Sequence, residues 1–288
     1  MRSSRQGRRR SDHPGWELLH SRIRDADRAL SGYLKKFRHY VATQGLVGAL
    51  LLSAKYPVQR IRYELTDPMR LRRIRSANRE YDHRFGVDTY AEQSVAELGV
   101  VGSSASQGYK YGPVWEETFR LAMSCVDAPL EDHVFVDIGS GKGKALLLAS
   151  EYPFQRIVGV ELSPALHRIA LANTARYTSP TQRCRSIESV CQDAVGFVFP
   201  TFPLVVFMFQ PFGPQLLGQV LDRLERSLAD HPRPCWLIYI NPVWANVVRG
   251  RPAFGEVATR PWFAVWRHER EDLVGASATA AGVAKGAA

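Results

Sequence analysis

From residue 133 onward, short apolar runs alternate with longer stretches of helical periodicity. The runs occupy 133–138 (HVFVDI), 156–161 (RIVGVE), 186–191 (SIESVC), 204–209 (LVVFMF) and 235–240 (CWLIYI). The fourth and fifth are the most apolar, as strands buried on both faces must be. Between the runs, 144–151, about 164–177 and 215–228 read as helices. Ser163-Pro164 is a strong helix start, a capping side chain followed by proline in the first turn. Two further segments, 256–258 and 262–268, flank Arg260-Pro261 and fit a closing antiparallel pair, with the aromatics of 261–266 in the core. Strands alternating with helices predict an α/β fold, a doubly wound, mostly parallel seven-stranded sheet with helices on both faces.

The first part of the chain is patterned differently. Residues 1–15 are Arg/Ser-rich and read as a disordered basic tail. In 16–40, Leu19, Ile23, Ala26, Leu30, Tyr33 and Phe37 recur at helical intervals among basic residues. A second helical stretch covers 46–56 and ends at Pro57, and 61–84 is again basic with scattered aliphatic residues. Such basic amphipathic helices suit anionic surfaces, and more commonly pack on the domain that follows. After a Gly/Ser-rich stretch up to Gly112, 114–126 returns to helix with Trp115, Phe119, Ala122 and Val126 on one face. The organisation expected is a basic tail (1–15), a basic, mainly helical extension and loop (16–110), the α/β domain (111–272) and a disordered Ala/Gly tail (273–288).

Charge sharpens that division. The formal net charge is +10, and residues 1–80 hold 19 Lys and Arg against 7 Asp and Glu, a net of +12. Residues 81–288 hold 19 against 21, a net of −2. This asymmetry suggests an attachment role for the basic segment, toward nucleic acid, an anionic membrane surface or an acidic protein, or a plainly solvated extension. The best apolar run, 45–54, is about half the ~20 residues a membrane span needs. Arg8-Arg9-Arg10 resembles the start of a twin-arginine signal, but 11–28 supplies no apolar core. Cys125, Cys184, Cys191 and Cys235 form no metal-ligand spacing and read as buried or half-buried thiols, so a cytoplasmic address is expected and no metal.

The densest chemistry lies at Asp137-Ile138-Gly139-Ser140-Gly141-Lys142-Gly143, between the first strand and a helix. Alternate glycines let the backbone turn tightly and approach a ligand. A phosphate loop would need glycine at Val136 and Ser or Thr at Gly143. A dinucleotide fingerprint would need its third glycine one place later, where Lys144 stands. An acidic residue followed by G-x-G-x-G resembles motif I of the class I S-adenosylmethionine (SAM) dependent methyltransferases. That resemblance implies a Rossmann-like methyltransferase fold with Asp137, Gly139, Ser140, Gly141 and Gly143 at the methionine part of SAM. Glu161 ends the second strand, where an acid can accept from both ribose hydroxyls. Asp193 follows the third strand, in the place that receives the adenine amino group in the family. Lys142 and Lys144 read as helix-surface lysines, and His133 and His167 as surface or element-edge residues.

The fourth strand runs into Gln210-Pro211-Phe212, in the place of the Asn/Asp-Pro-Pro-Tyr/Phe motif of many N-methyltransferases. Upstream, Tyr111-Gly112-Pro113 resembles the Tyr-x-Pro element of a group of non-SET protein lysine methyltransferases. The segment 81–89 (YDHRFGVDT) is similar to the lead-in of uncharacterised bacterial methyltransferase-like proteins. These resemblances imply a SAM-dependent methyltransferase, with Tyr111, Gln210 and Phe212 lining the channel of a nitrogen acceptor, on a protein or another amine. Gln210 departs from the motif's Asn/Asp, which bears on amine recognition. The competing expectations are a nicotinamide-dependent oxidoreductase, and a non-catalytic nucleic-acid or membrane-surface binding protein on a vestigial SAM fold.

Overall fold

The computed structural model describes residues 68–91 and 111–268. The helices expected at 16–40 and 46–56, and both tails, lie outside the described residues. The chain divides into two compact units, Met1–Leu71 and Arg72–Ala288. The second unit starts ahead of the boundary expected at 111, because residues 72–91 supply part of its core.

A seven-stranded sheet forms the centre of that unit: β1 (Val134–Ile138), β2 (Arg156–Glu161), β3 (Ile187–Cys191), β4 (Leu204–Phe209), β5 (Cys235–Ile240), β6 (Phe254–Arg260) and β7 (Phe263–His268), in the order β3-β2-β1-β4-β5-β7-β6. The first five strands are parallel; β7 runs antiparallel to both β5 and β6. The turn at Arg260-Pro261 therefore inserts β7 between its sequence neighbour and β5. β1, β4 and β5 are buried at nearly every position, the expected consequence of helical cover on both faces.

Helix α1 (Pro68–Phe85) belongs to the unit from Arg72 onward, and helices α2 (Glu116–Met123), α3 (Lys144–Ala149), α4 (Pro164–Arg176), α5 (Pro214–Asp230) and α6 (Ala245–Arg249) complete it. Ser163 caps α4 by accepting from the Leu166 N–H, with Pro164 in the first turn. Phe119 of α2 packs on Phe135 and Phe207, joining the helix to β1 and β4. α1 joins the same core through Tyr81, whose ring lies 4.7 Å from Phe85, and Phe85 lies 4.9 Å from Tyr177 at the end of α4. The opposite side of α1 exposes Arg72, Arg73, Arg75 and Arg79. Among the described residues, no helix is long and apolar enough to cross a membrane.

Candidate functional site

The strand order reverses between β1 and β4, and the crevice beyond the carboxyl ends of these strands is where ligands enter such sheets. The loop leaving β1 is fixed there by its own backbone. The N–H groups of Gly139 and Ser140 donate to the Val160 carbonyl at 2.8 and 3.0 Å, and Gly143 N–H donates to the Ser140 carbonyl at 2.8 Å. Gly139 and Gly141 have φ of 80° and 55°. A Cβ at 139 would lie 2.7 Å from the Pro211 Cβ, and one at 141 would overlap the Tyr111 ring. Both positions thus require glycine for conformation and for space. Ser140 turns its buried side chain onto Gly159 of β2, where any Cβ would collide with it.

Glu161 closes the loop from β2. Its Oε2 accepts from the Gly141 N–H at 2.8 Å and its Oε1 from the Ser163 N–H at 2.7 Å. Burial pushes its pKa up, against the pull of these backbone donors. Asp137 stands near it on β1, 3% exposed, and burial together with the Glu161 charge raises its pKa well above the ordinary carboxylate range. Two buried acids at neighbouring strand ends favour a cationic ligand. SAM suits them, carrying a sulfonium and an ammonium, and each Glu161 oxygen retains lone-pair capacity for a ribose hydroxyl. A dinucleotide suits them poorly. Its pyrophosphate needs unengaged loop N–H groups, whereas those of Gly139, Ser140, Gly141 and Gly143 are already bonded within the protein. Asp193 follows β3 on the same edge and caps a 3-10 turn, its Oδ1 accepting from the Val195 N–H at 3.0 Å.

The other wall comes from β4 and β5. Gln210 and Asn241 are the two non-glycine residues with positive φ among those described, at 37° and 51°. Asn241 donates through Nδ2 to Gln210 Oε1, so the carbonyl expected to receive an amine is shared with a second amide. Phe212 is buried beside them in sequence. Tyr111 lies against Gly141, and its hydroxyl donates to the Thr89 carbonyl at 2.7 Å. Burial, with the charges of Asp82, Asp88, Asp137 and Glu161, raises its pKa and keeps the phenol protonated.

Residues 82–90 carry a second set of contacts that local sequence patterns missed. Asp82 accepts from the N–H groups of Thr89 and Tyr90, each at 2.7 Å, and from the Thr89 hydroxyl at 2.5 Å. Asn173 of α4 accepts from the Asp88 N–H and donates to the carbonyls of Asp88 and Lys142, all at 2.8 Å. Lys142 Nζ pairs with Asp88 Oδ1 at 2.9 Å. The motif at 81–89 supplies Asp82, Asp88 and Thr89 to these contacts, whereas nothing local in the sequence marks Asn173.

Several surface expectations are corrected. Lys142 and Lys144 are 1% and 2% exposed: Lys142 lies in the buried glycine loop, and Lys144 opens the short helix α3, which is buried all round. Lys144 Nζ has no hydrogen-bond partner among the described residues and sits 3.3 Å above the Tyr81 ring; burial lowers its pKa to about 8. His133 is buried at the start of β1, its Nδ1 2.8 Å from the Pro129 carbonyl. Cys191 is exposed, at the end of the half-covered strand β3.

A seven-stranded sheet of this order, with β7 antiparallel, is the fold of the class I SAM-dependent methyltransferases, and this chain has it. No protein-family model matches the chain, and no curated protein matches it. Solved structures similar to it include TrmN from Thermus thermophilus, with 19% identity over 55% of this chain and 50% of that one and a TM-score of 0.41. Another is an RNA methyltransferase from Salinibacter ruber in complex with S-adenosyl-L-homocysteine (SAH), at 21% identity over 56% and 98% and a TM-score of 0.39. A third is the magnesium protoporphyrin IX methyltransferase from Synechocystis PCC 6803 with bound SAM, at 14% over 54% and 79%, again with a TM-score of 0.39. The chain spans half the length of the Thermus thermophilus protein. The fold assignment rests on strand order and direction rather than on these distant likenesses.

Proposed function

We propose that the chain is a SAM-dependent methyltransferase acting on nitrogen, in a protein or another amine acceptor. One observation carries the reading: the buried pair Asp137 and Glu161 meets a glycine loop whose amides are already bonded, at the reversal point of the sheet. When bound, SAM supplies an electrophilic methyl group for in-line displacement. The chain's own residues need only hold donor and acceptor in line, and orientation accounts for much of the rate. Glu161 and Asp193 hold the ribose and adenine, while Asp137 and the loop at Gly139 and Gly141 hold the methionine part. Gln210, steadied by Asn241, lines the acceptor side with Phe212. Tyr111 stays a hydrogen-bond donor there rather than a base.

The partner of the basic segment is, on this reading, an anionic one. Nucleic acid fits α1 better than a membrane does, since Tyr81 and Phe85 already pack into the protein's own core while Arg72, Arg73, Arg75 and Arg79 are exposed. The free cysteines fit the reducing cytoplasm. Labelled SAM incubated with the protein and a cell lysate, followed by mapping of the labelled atom, tests the activity. Label on nitrogen that falls at least tenfold with Gln210→Ala supports it; label on oxygen or carbon contradicts the acceptor assignment.

A further inference from the structure

Tyr111 is separated from the glycine loop by more than twenty residues of sequence, yet its ring sits on Gly141. Its hydroxyl bonds only one described group, the Thr89 carbonyl. Thr89 is therefore the anchor, and its own position is set from two sides. From α1, Asp82 takes the N–H groups of Thr89 and Tyr90 and the Thr89 hydroxyl. From the cofactor loop and α4, Lys142 and Asn173 hold Asp88. Asn173 does so with its whole amide, in a two-way bond to the Asp88 backbone that also reaches the Lys142 carbonyl.

The location of these groups is informative. Lys142 belongs to the glycine loop itself, and its ammonium, 5.7 Å from the centre of the Tyr111 ring, pairs with a carboxylate that is 56% exposed. A buried lysine paired with an exposed acid is a poor stability device, because one charge is desolvated for a screened partner. It is well suited to fix geometry, since it ties the glycine loop to residues 87–90, the strap that carries Thr89, at the residue next to Gly141.

We propose that Lys142 and Asn173 are positioning residues of the cofactor pocket: they hold the strap 87–90 so that Tyr111 closes over Gly141 and bounds the methionine end of SAM. This rests on the reading of the crevice as a SAM site. Neither residue touches the cofactor; both act through Asp88, Thr89 and Tyr111. The adenosine half, held by Glu161 and Asp193, lies outside their reach.

Calorimetric titration of the full chain with SAH and, separately, with adenosine distinguishes the possibilities. Lys142→Met keeps the stem and removes the charge; it and Tyr111→Phe should each weaken SAH about tenfold and change adenosine binding less than twofold. The double variant should lose about tenfold, not a hundredfold, because both changes release the same strap. Hydrogen exchange at the amides of 88–90 should quicken in Lys142→Met. Asn173→Ala should behave alike, and if it fails to fold, the Lys142→Met results decide. Unchanged SAH affinity in Lys142→Met, equal losses for SAH and adenosine, or a hundredfold additive loss each overturns the proposal. A wild-type chain that binds adenosine and SAH not at all overturns the site reading as well, and is thereby told apart from failure of the strap alone.

Discussion

Glu161 and Asp137 show how a few side chains set the chemistry of the crevice. Asp137 has a folded-state pKa raised by burial and by its neighbour, so the folded protein holds that proton more tightly than the unfolded chain. The stability it contributes is present below its ordinary value and is lost as pH rises through the raised one. Asp137→Asn should therefore raise the Tm of the ligand-free protein at pH 7. The same change should weaken SAH, a trade visible in one pair of melting curves with and without ligand. Lys144 has the opposite displacement. Its pKa falls from 10.5 to about 8, so the folded state binds fewer protons across that window and stability should rise with pH between about 8 and 10.5. The gain is at most ~3 kcal/mol. In Lys144→Met the rise should vanish, and melting between pH 7 and 10 checks it; a variant with the same pH slope as wild type places the titration elsewhere.

Elements differed in how openly the sequence displayed them. β2, β4 and β5 have the bounds expected, because a strand buried on both faces must be apolar and must end where polar or glycine residues begin. β6 is longer than 256–258 suggested. It is an edge strand, largely exposed and irregular between Glu256 and Ala258, so alternation along it is weak. α6 went unseen since five residues are too few to show a period. The insertion of β7 beside β5 is a tertiary choice without local signal. In the site, the glycine loop and Glu161 were legible because their chemistry is confined to consecutive residues and strand ends. The clamp of Asn173 on Asp88 spans 85 positions, and neither partner has a distinctive neighbourhood. The buried state of Lys142 and Lys144 was hidden for a related reason: polarity alone assigns lysine to the surface. At this scale α1 also makes a prediction. Replacing Arg72, Arg75 and Arg79 together by Gln should lower the salt dependence of oligonucleotide binding by about 3 in log–log slope, about 1 for each phosphate contact. Anisotropy titrations at several salt concentrations measure it, and an unchanged slope removes α1 from the contact surface.

The whole molecule combines a near-neutral sheet domain with a strongly basic segment before it, +12 over residues 1–80 against −2 over the remainder. The sheet domain carries the crevice at the β1–β4 reversal, and the arginines Arg72, Arg73, Arg75 and Arg79 of α1 enter the same unit just ahead of residues 87–90. That arrangement places a basic helix and a crevice lined by the buried acids Asp137 and Glu161 in one compact body. SAM binding by the chain can be measured without knowledge of the acceptor. Thermal unfolding of the purified chain with SAM, SAH, NAD(H) or ATP tests it most directly. A ligand at ~100 times its Kd stabilises the folded state by about 2.7 kcal/mol, well within detection. SAM and SAH should raise Tm, NAD(H) and ATP should not, and Gly141→Ala, strained at φ 55° and pressed on Tyr111, should abolish the rise. A rise with NAD(H) and none with SAM or SAH would contradict the assignment.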